Sequence, residues 1–279
     1  MTYTCFEVSI ADNIAHIVMN RPEKRNAMSP IFWNELPEIV ADIDNNSKAR
    51  VIVISSIGPH FTAGLDLEAF SLGTSNLSKE ERLQAGAQFY GDVKKMQETF
   101  SCLEDCRIPV LAAIQGGCIG GGVDLITACD MRYGTEDSFI TIFETVIGMT
   151  ADVGTFPRIT KLIPEGIARD LAYTGRRMLA AECQATGLYN QVFSTQEEMM
   201  AFVMKKAQEI ALKAPIAVMG CKRIINYSRD HSTADTLDYI ATWNASMLLR
   251  EEIGEAVQAN QEKRPGNFVE RPKLKGFVG

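Results

Sequence analysis

Five glycines between residues 116 and 122 constrain the fold of this chain more than any other feature. They follow IPVLAAIQG, an apolar run typical of a buried strand, and precede VDLITA, an apolar segment expected to be helical. A dinucleotide fingerprint needs glycines at i, i+2 and i+5 and a P-loop needs Gly-Lys-Ser/Thr, and this stretch has neither. Backbone N–H groups at a glycine-rich strand-to-helix turn can approach an acceptor closely and stabilise developing negative charge. Tight packing of the helix on the strand explains the glycines equally well, so both interpretations stay open.

Strands and helices alternate through the first half of the sequence. The apolar runs are short and continuous, as in strands that are covered on both faces. This order predicts an α/β fold with parallel strands and crossover helices. The predicted elements are a hairpin over 5–20, helices over 31–44 and 79–106, and strands over 50–58, 108–116 and 138–144.

The second half is dominated by helical patterns. Pro215 breaks the chain, and residues 216–262 are nearly all helical in pattern. A tail rich in Gly, Pro and basic side chains follows over residues 263–279. We therefore divide the chain into a core, residues 1–213, and a helical C-terminal region with a basic tail, residues 214–279.

Three acids stand in apolar surroundings within 29 positions: Asp124, Glu144 and Asp152. A buried carboxylate without a partner costs several kcal/mol, so each needs a partner, a wet pocket or a raised pKa. One of them, Asp152, is also a candidate helix cap. Three such acids around one glycine-rich turn favour an acid/base site. Carboxylates of this kind suit proton transfer at a carbon next to a carbonyl, provided that an oxyanion site stabilises the enolate.

Charge and the remaining residue types exclude several other functions. The formal net charge of −7 argues against nucleic acid or an anionic membrane as a partner. The sequence has no GxSxG, no HExxH and no clustered metal ligands, and His60 in the PHFTAG turn is expected to be a solvated turn residue. Seven scattered cysteines, no signal-peptide pattern and no peroxisomal C-terminal motif predict reduced thiols in a cytoplasmic protein.

The combined motifs resemble the crotonase family, the enoyl-CoA hydratase/isomerase superfamily. The likeness is carried by HFTAGLDL, by PVLAAIQGGCIGGGVDLITACDMRYGTEDSFITIFETVIG and by GTFPRI, and it extends over almost the whole chain. Within the family, GGCIGGGVDLITACDMRY with ADVGT is most similar to the Δ3,5-Δ2,4-dienoyl-CoA isomerases. The resemblance implies a spiral of ββα units whose helical C-terminal region forms trimers, which pair into hexamers. It also implies an acyl-CoA thioester substrate and no metal or redox cofactor.

The resemblance assigns roles to individual residues. Two backbone N–H groups, those of Leu65 and Gly121, are expected to hold the thioester oxygen. Hydratases of the family carry a Glu at the positions of Asp124 and Glu144, whereas the dienoyl isomerases add an Asp at the position of Asp152. We expect Glu144 and Asp152 to be the pair that transfers protons between C2 and C6 of the acyl chain. Asp124 is expected to be a positioning or polarising group. The sequence lacks an acid at Val146, where some dienoyl isomerases have one, which leaves the preferred chain length open.

Coenzyme A is expected to lie along KRNAM (24–28) and AGLDL (63–67), held largely by backbone groups. Basic residues of the tail are further candidates for its phosphates, although each basic residue is equally well explained as an ordinary solvated charge. The predicted contacts are Lys24, Arg25, Ala27, Ala63, Asp66 and Gly120, with Lys263, Arg264, Lys273 and Lys275 in the tail.

The sequence thus predicts an isomerase that converts 3,5-dienoyl-CoA to 2,4-dienoyl-CoA in fatty-acid β-oxidation. An enoyl-CoA hydratase, or another acyl-CoA isomerase on the same scaffold, is the alternative, because one fold supports many reactions. A member that binds acyl-CoA without turnover is a third alternative. All three acids are present, and a protein that only binds has no need to bury them.

Overall fold

The computed structural model describes residues 2–68 and 78–275. Nine strands and ten α-helices lie in this part of the chain, together with two 3₁₀ turns over Pro22–Lys24 and Glu144–Ile147. The strands are β1 (Phe6–Ala11), β2 (Ile14–Met19), β3 (Val51–Ser56), β4 (Val110–Ile114), β5 (Gly117–Ile119), β6 (Met131–Thr135), β7 (Phe139–Thr141), β8 (Met178–Leu179) and β9 (Gln191–Phe193). The helices are α1 (Pro30–Asn45), α2 (Lys79–Asp105), α3 (Gly121–Ala128), α4 (Thr155–Ile159), α5 (Glu165–Thr174), α6 (Ala180–Ala185), α7 (Gln196–Ala211), α8 (Pro215–Ser228), α9 (Thr233–Met247) and α10 (Arg250–Glu262).

A six-stranded sheet in the order β1-β2-β3-β4-β6-β9 forms the centre of the core. Only the hairpin β1–β2 is antiparallel, and every later neighbour is parallel. Asp12 and Asn13 make the hairpin turn with φ of 50° and 63°, the left-handed region that such two-residue turns require. The predicted hairpin and the predicted parallel strands are confirmed.

Strands β3 and β4 are buried along their whole length, as their apolar runs predict. Alternate residues of β3 enter two different clusters: Ile52 and Ile54 pack with α1, α2 and α3, whereas Val51 and Val53 pack with α7. The sheet is therefore covered by helices on both faces, which explains why these strands contain no polar alternation.

A second, smaller sheet in the order β5-β7-β8 corrects one predicted strand. The run SFITIFE was expected to be extended as far as Glu144, but β7 ends at Thr141. Its neighbour β5 ends at Ile119, so the following residues have no strand to pair with. Glu144 instead opens a 3₁₀ turn.

Strand β6 lies inside the large sheet but is not among the predicted strands. Its sequence MRYGT contains an arginine and a glycine, so the local pattern does not indicate a buried strand. The guanidinium of Arg132 is nevertheless buried, because it donates to the carbonyls of Leu188, Ile126 and Cys129. The Leu188 carbonyl lies 56 residues along the chain, so this partner cannot be anticipated from a local pattern.

The C-terminal half is helical, as predicted, and its tail returns to the start of the chain. Nη1 of Arg271 lies 2.7 Å from Oδ1 of Asp44, and the N–H of Leu274 donates to the Asn45 carbonyl at 2.7 Å. The tail therefore lies at the end of α1. No helix in the described residues is both long enough and apolar enough to cross a bilayer.

Candidate active site

Three loops that follow β2, β3 and β4 meet at the carboxyl edge of the large sheet. The N–H of Met28 donates to the Gly64 carbonyl at 2.8 Å, which joins the first loop to the second. Thr62 joins the second loop to the third, because it donates to the Gly117 carbonyl and accepts from the N–H of Ile119, both at 3.1 Å. In α/β sheets with parallel strands, ligands bind at this edge.

Asn26 fixes the first of these loops, although it is not among the predicted site residues. Its φ is 53°, in the left-handed region that Asn tolerates better than most residues. The buried amide donates to the carbonyls of Ile57 at 2.9 Å and His60 at 3.1 Å, and it accepts from the N–H of Arg21. The only sequence signal was its residue type in a polar loop.

The backbone N–H groups of Leu65 and Gly121 lie on facing loops. Leu65 forms a parallel bridge with Met28, in which the N–H of Asp66 donates to Met28, so the N–H of Leu65 points the other way. Gly121 is the first residue of α3, and its N–H has no acceptor within the helix. A Cβ built on Gly64 would lie 3.4 Å from the Gly121 nitrogen, so the loops are in contact. The two predicted donors therefore lie on adjacent loops, and that they share one acceptor stays a prediction.

The glycines also serve close packing, the second interpretation of this stretch. A Cβ on Gly122 would lie 2.5 Å from Cγ2 of Thr62, and one on Gly121 would lie 2.9 Å from the sulfur of Met28. Gly120 has a φ of 53°, which a side chain would strain. Packing and access to the N–H groups are therefore requirements of the same turn.

Leu65 and Gly121 line a mainly apolar cavity of about 140 Å³. Two of the predicted acids, Glu144 and Asp152, line it, whereas Asp124 does not. The remaining lining comes from both loops, from α1 and α2, and from the turn after β7. It includes Trp33, Ala63, Leu65, Phe89, Met96, Gly120, Gly121, Phe143 and Val153.

Asp124 lies behind the cavity wall, fully buried in the first turn of α3. Its Oδ1 accepts a hydrogen bond of 2.6 Å from the N–H of Thr155, and its Oδ2 has no partner among the described residues. Burial, followed by the nearby Glu144 carboxylate, raises the pKa of Asp124 to about 7. Asp124 is thus placed to act on Glu144 and on the start of α4 rather than on a ligand.

Glu144 points its carboxylate toward the glycine turn. A Cβ on Gly120 would lie 3.2 Å from its Oε1, and its Oε2 is buried with no partner in the described part of the chain. Burial raises the pKa of Glu144, and the Asp152 carboxylate raises it further. A carboxylate whose pKa is raised in this way is a stronger base than one in solution.

Asp152 is half-buried, and burial raises its pKa as well. Its carbonyl accepts a hydrogen bond of 2.7 Å from the side-chain amide of Gln97 on α2, which holds this loop against the helix. The alternative that Asp152 caps a helix is wrong, because Gly154 occupies the N-cap of α4 and Asp124 binds the N–H of Thr155. Among the described residues, no group of three or more His, Cys, Asp or Glu is arranged to hold a metal ion.

The residues predicted to bind coenzyme A lie beside the two amide donors. The N–H of Ala63 donates to the Arg25 carbonyl at 2.9 Å, so the two segments run side by side. Lys24 is exposed and lies 2.9 Å from Glu68, whereas Asp66 is approached by Arg21 at 3.6 Å. Arg21 is a further cation at this mouth that the motif comparison does not single out.

The basic tail lies elsewhere. Arg264 is bound by Glu255 and Glu262. Arg50 stands before β3 and pairs with Glu270 of the tail at 2.8 Å, at the amino edge of the parallel strands. The loops of the site follow the same strands at the opposite edge. The expectation that this tail meets the coenzyme A held by its own chain is therefore not supported.

Two further expectations are refined by the structure. His60 is not simply solvated, since its Nδ1 accepts the N–H of Gly117 at 3.0 Å and fixes the start of β5. The helix predicted over 79–106 is observed as α2, and it contributes both to the cavity, through Phe89 and Met96, and to the core, through Phe100.

Residues 9–271 match the family model for enoyl-CoA hydratase/isomerase. The chain belongs to this family. The crystal structure of enoyl-CoA hydratase from Bacillus anthracis aligns with a TM-score of 0.84 at 28% identity, over 95% of this chain and 99% of that one. The structure of DspI from Pseudomonas aeruginosa aligns with a TM-score of 0.86 at 23% identity, over 96% and 98% of the two chains, and supports the fold alone.

Curated relatives within the family are named as isomerases. The mouse mitochondrial Δ(3,5)-Δ(2,4)-dienoyl-CoA isomerase is 41% identical over 274 residues, which is 98% of this chain and 84% of the relative. The peroxisomal enzyme of the same name from Arabidopsis thaliana is 40% identical over 258 residues, 92% of this chain and 93% of the relative. The crotonase-like α/β fold and an isomerase of this superfamily are confirmed.

The predicted cytoplasmic location is contradicted by the same relatives, whose names place them in mitochondria or peroxisomes. That prediction depended on missing targeting patterns and on unpaired cysteines. Reduced thiols are compatible with any reducing compartment, so cysteine usage cannot distinguish among them.

Proposed function

We propose that this enzyme isomerises 3,5-dienoyl-CoA thioesters to 2,4-dienoyl-CoA thioesters, a step of fatty-acid β-oxidation. The observation that carries the proposal is that Glu144 and Asp152 line one apolar cavity together with Leu65 and Gly121. Relatives at about 40% identity that bear the name of this activity support it.

The thioester oxygen is held between the N–H groups of Leu65 and Gly121. Glu144 lies against Gly120, the neighbour of one donor, and therefore closest to C2, which is bonded to the thioester carbon. Glu144 takes the proton from C2, and the electron pair of the broken C–H bond is delocalised over the diene and onto the thioester oxygen. Removal of one such donor typically raises the activation free energy by about 2.7–4 kcal/mol, which indicates how much each of the two amides contributes.

Asp152 then delivers a proton to C6. The electrons return from the thioester oxygen, the double bonds settle at C2 and C4, and C6 gains the new C–H bond. This assignment needs Asp152 to be protonated when Glu144 is ionised; burial raises the pKa of Asp152, which favours its protonated form. Asp124 does not line the cavity and is assigned as a positioning residue for Glu144.

The test uses Asp152→Asn and Glu144→Gln, which keep the shape of each side chain and remove its proton transfer. Loss of the 3,5-diene and gain of the 2,4-diene are followed by absorbance. We expect each variant to lose about 10²–10⁴-fold in kcat, the usual contribution of a general acid or base. Binding of a saturated acyl-CoA, measured by calorimetry, should stay within a few-fold of wild type.

A wild-type enzyme that hydrates 2-enoyl-CoA efficiently and leaves the 3,5-diene unchanged would refute the proposal in favour of the hydratase. A protein that is stabilised against heat by acyl-CoA but converts neither substrate would favour the member that only binds.

For the assembly, we infer a homotrimer that pairs into a hexamer. The support is the apolar surface that α9 and α10 leave exposed, with Leu237, Met247, Leu248, Ile253 and Val257 each more than a third accessible. Exposed apolar surface of this extent marks interaction sites. Light scattering coupled to gel filtration gives the mass, and a monomeric mass at micromolar concentration would contradict the inference.

A further inference from the structure

The side chain of Thr62 contacts all three loops of the candidate site. Thr62 is fully buried in the loop after β3, a short way before Leu65. Its Oγ1 donates to the Asn26 carbonyl at 2.7 Å and accepts from the N–H of Gly64 at 3.1 Å. Its Cγ2 faces Gly122, where an added Cβ would lie 2.5 Å away. One side chain therefore contacts the residue before one proposed amide donor and the residue after the other.

The hydroxyl of Thr62 has a fixed orientation. A hydroxyl group has one hydrogen to donate, and that of Thr62 is directed to the Asn26 carbonyl. Its lone pairs are then left to accept, and the N–H of Gly64 is the donor that they meet. Asn26 is itself held, because its buried amide donates to the carbonyls of Ile57 and His60. Thr62 therefore transmits the position of the first loop to Gly64.

Gly64 needs this contact because glycine has more backbone freedom than any other residue. Its φ is 81°, in the left-handed region. The hydroxyl of Thr62 holds its N–H, and the N–H of Met28 holds its carbonyl at 2.8 Å. The planar peptide unit that contains the Gly64 carbonyl also carries the N–H of Leu65, and in a trans peptide the two point in opposite directions. The two bonds on Gly64 therefore set the direction of the Leu65 N–H.

The second donor lies against the same residues. A Cβ built on Gly64 would lie 2.6 Å from the Ile119 carbonyl oxygen and 3.4 Å from the nitrogen of Gly121. The N–H of Ile119 donates to the Thr62 carbonyl at 3.1 Å, and the methyl group of Thr62 faces Gly122, which follows Gly121. A shift of Gly64 therefore changes the distance and angle between the two donors.

We propose that Thr62 is the positioning residue of the two amide donors, and that its hydroxyl directs the N–H of Leu65 toward the oxygen that Gly121 also binds. Thr62 does not line the cavity, so it acts on the reaction only through these amides. The proposal rests on the proposed function, because that function assigns the thioester oxygen to the two N–H groups. Hydrogen bonds strengthen as the oxygen gains charge, so a misdirected amide weakens binding of the enolate-like transition state more than binding of the neutral thioester.

Four variants separate the hydroxyl of Thr62 from its methyl group. Thr62→Val keeps the shape of the side chain and removes the hydroxyl, whereas Thr62→Ser keeps the hydroxyl and removes the methyl group. Thr62→Ala removes both, so comparison with Thr62→Ser isolates the hydroxyl a second time, in a smaller side chain. Thr236→Val is the matched control, because it removes a buried hydroxyl that donates to the Ser232 carbonyl at the start of α9, outside the loops of the site.

The first experiment uses a charged ligand and needs no isomerisation. 3-Oxodecanoyl-CoA loses a proton from C2 to give an enolate whose negative charge reaches the thioester oxygen, whereas decanoyl-CoA stays neutral. The bound enolate is followed by its ultraviolet absorbance as pH is raised, and binding of decanoyl-CoA is measured by calorimetry. In Thr62→Val and Thr62→Ala the bound 3-oxo thioester should ionise about one pH unit higher than in wild type, a tenfold loss, whereas decanoyl-CoA should bind within a few-fold of wild type.

Thr62→Ser and Thr236→Val should ionise the bound 3-oxo thioester at the pH of the wild type. Ionisation at an unchanged pH in Thr62→Val and Thr62→Ala overturns the proposal. An equal shift in Thr62→Ser and Thr62→Ala overturns it as well, because the hydroxyl would then have no effect of its own.

The second experiment separates this proposal from the isomerase assignment. Wild type and variants are assayed with 3,5-decadienoyl-CoA, and the concentration of active sites is taken from the binding stoichiometry of decanoyl-CoA. Thr62→Val should lower kcat by about 10–10²-fold with KM within a few-fold, and Thr62→Ser should recover kcat. If wild type isomerises the diene and Thr62→Val retains its kcat, only the present proposal fails. If wild type does not isomerise the diene, the proposed function fails, and the ionisation of the 3-oxo thioester still decides whether Thr62 positions the amides.

Discussion

Oδ1 of Asp124 accepts a 2.6 Å hydrogen bond from the backbone N–H of Thr155. This contact joins the first turn of α3 to the first residue of α4 across 31 positions of sequence. It leaves Oδ2 of Asp124 and Oε2 of Glu144 as buried oxygens without partners among the described residues. The acid in the glycine stretch is thus a structural link whose second oxygen lies within the electrostatic reach of the proposed base.

The first prediction concerns pH. Burial raises the pKa of Asp124 to about 7, from 3.8 in a solvated carboxyl, so between these values the folded chain binds more protons here than the unfolded chain. Stability from this group is therefore fully present below about pH 4 and is lost as pH rises through 7, by about 2–3 kcal/mol between pH 5 and pH 8. Asp124→Asn should flatten this slope in urea unfolding. The exposed Asp238→Asn should keep it, and identical slopes in all three proteins would contradict the assignment.

The second prediction compares two glycines. Gly122→Ala puts a methyl group 2.5 Å from Thr62 and 3.0 Å from Cys118, so we expect a loss of about 1–3 kcal/mol in unfolding free energy from overpacking, and reduced activity. Gly86→Ala is the matched control, because its methyl group meets nothing within 4 Å on the exposed part of α2. That change should stabilise by about 0.5–1 kcal/mol. Similar effects of the two substitutions would show that the turn tolerates side chains.

The third prediction concerns Lys222, whose ammonium is buried between α2 and α8. It lies 2.9 Å from Asp130 and donates to the carbonyls of Leu103 at 2.7 Å and Ile108 at 2.9 Å. Lys222→Met leaves a carboxylate and two carbonyls without this partner, so we expect a loss of about 3–5 kcal/mol in chemical denaturation. Lys205→Met, at an exposed position, should change stability by less than about 0.5 kcal/mol. A neutral Lys222→Met would mean that the apolar replacement offsets the lost ion pair.

The fourth prediction concerns the thiols. All seven cysteines are free, and only Cys221 is exposed. Burial raises the pKa of Cys118, Cys129 and Cys183, so their reactive thiolate forms are scarce. Under native conditions a maleimide should label Cys221 within minutes, and the others should react only in denaturant. Mass spectrometry of tryptic peptides locates the label, and rapid labelling of any other cysteine would reveal local opening.

Local sequence patterns predicted the strands and turns whose conformation depends mainly on neighbouring residues. The runs around β3 and β4 are apolar because both faces are covered, and the hairpin turns at Asp12 and Asn13 because those residues accept left-handed backbone. Pattern reasoning failed for β6, where the Arg132 guanidinium donates to the Leu188 carbonyl 56 residues along the chain, and for the end of β7, which depends on where β5 stops.

Some features of the candidate site could likewise be predicted from the sequence, and others could not. The sequence marked Asp124, Glu144 and Asp152 as acids in apolar company, and their chemistry alone required a shared site or a raised pKa. It could not show that two of them line the cavity and that the third lies behind the wall on Thr155. Likewise, nothing in the local pattern around Thr62 indicates that its side chain contacts both Asn26 and Gly122.

The sequence by itself determined the α/β order, the glycine turn with its available N–H groups, and the family. These follow from side-chain size and hydrophobicity over short stretches, where periodicity and steric freedom act. Only the tertiary structure decided which carboxylate meets a ligand, how deeply each is buried, and that Thr62 joins the three loops of the site. These properties arise from contacts between residues far apart in sequence, because the loss of water and the field at each carboxylate depend on every element packed around it.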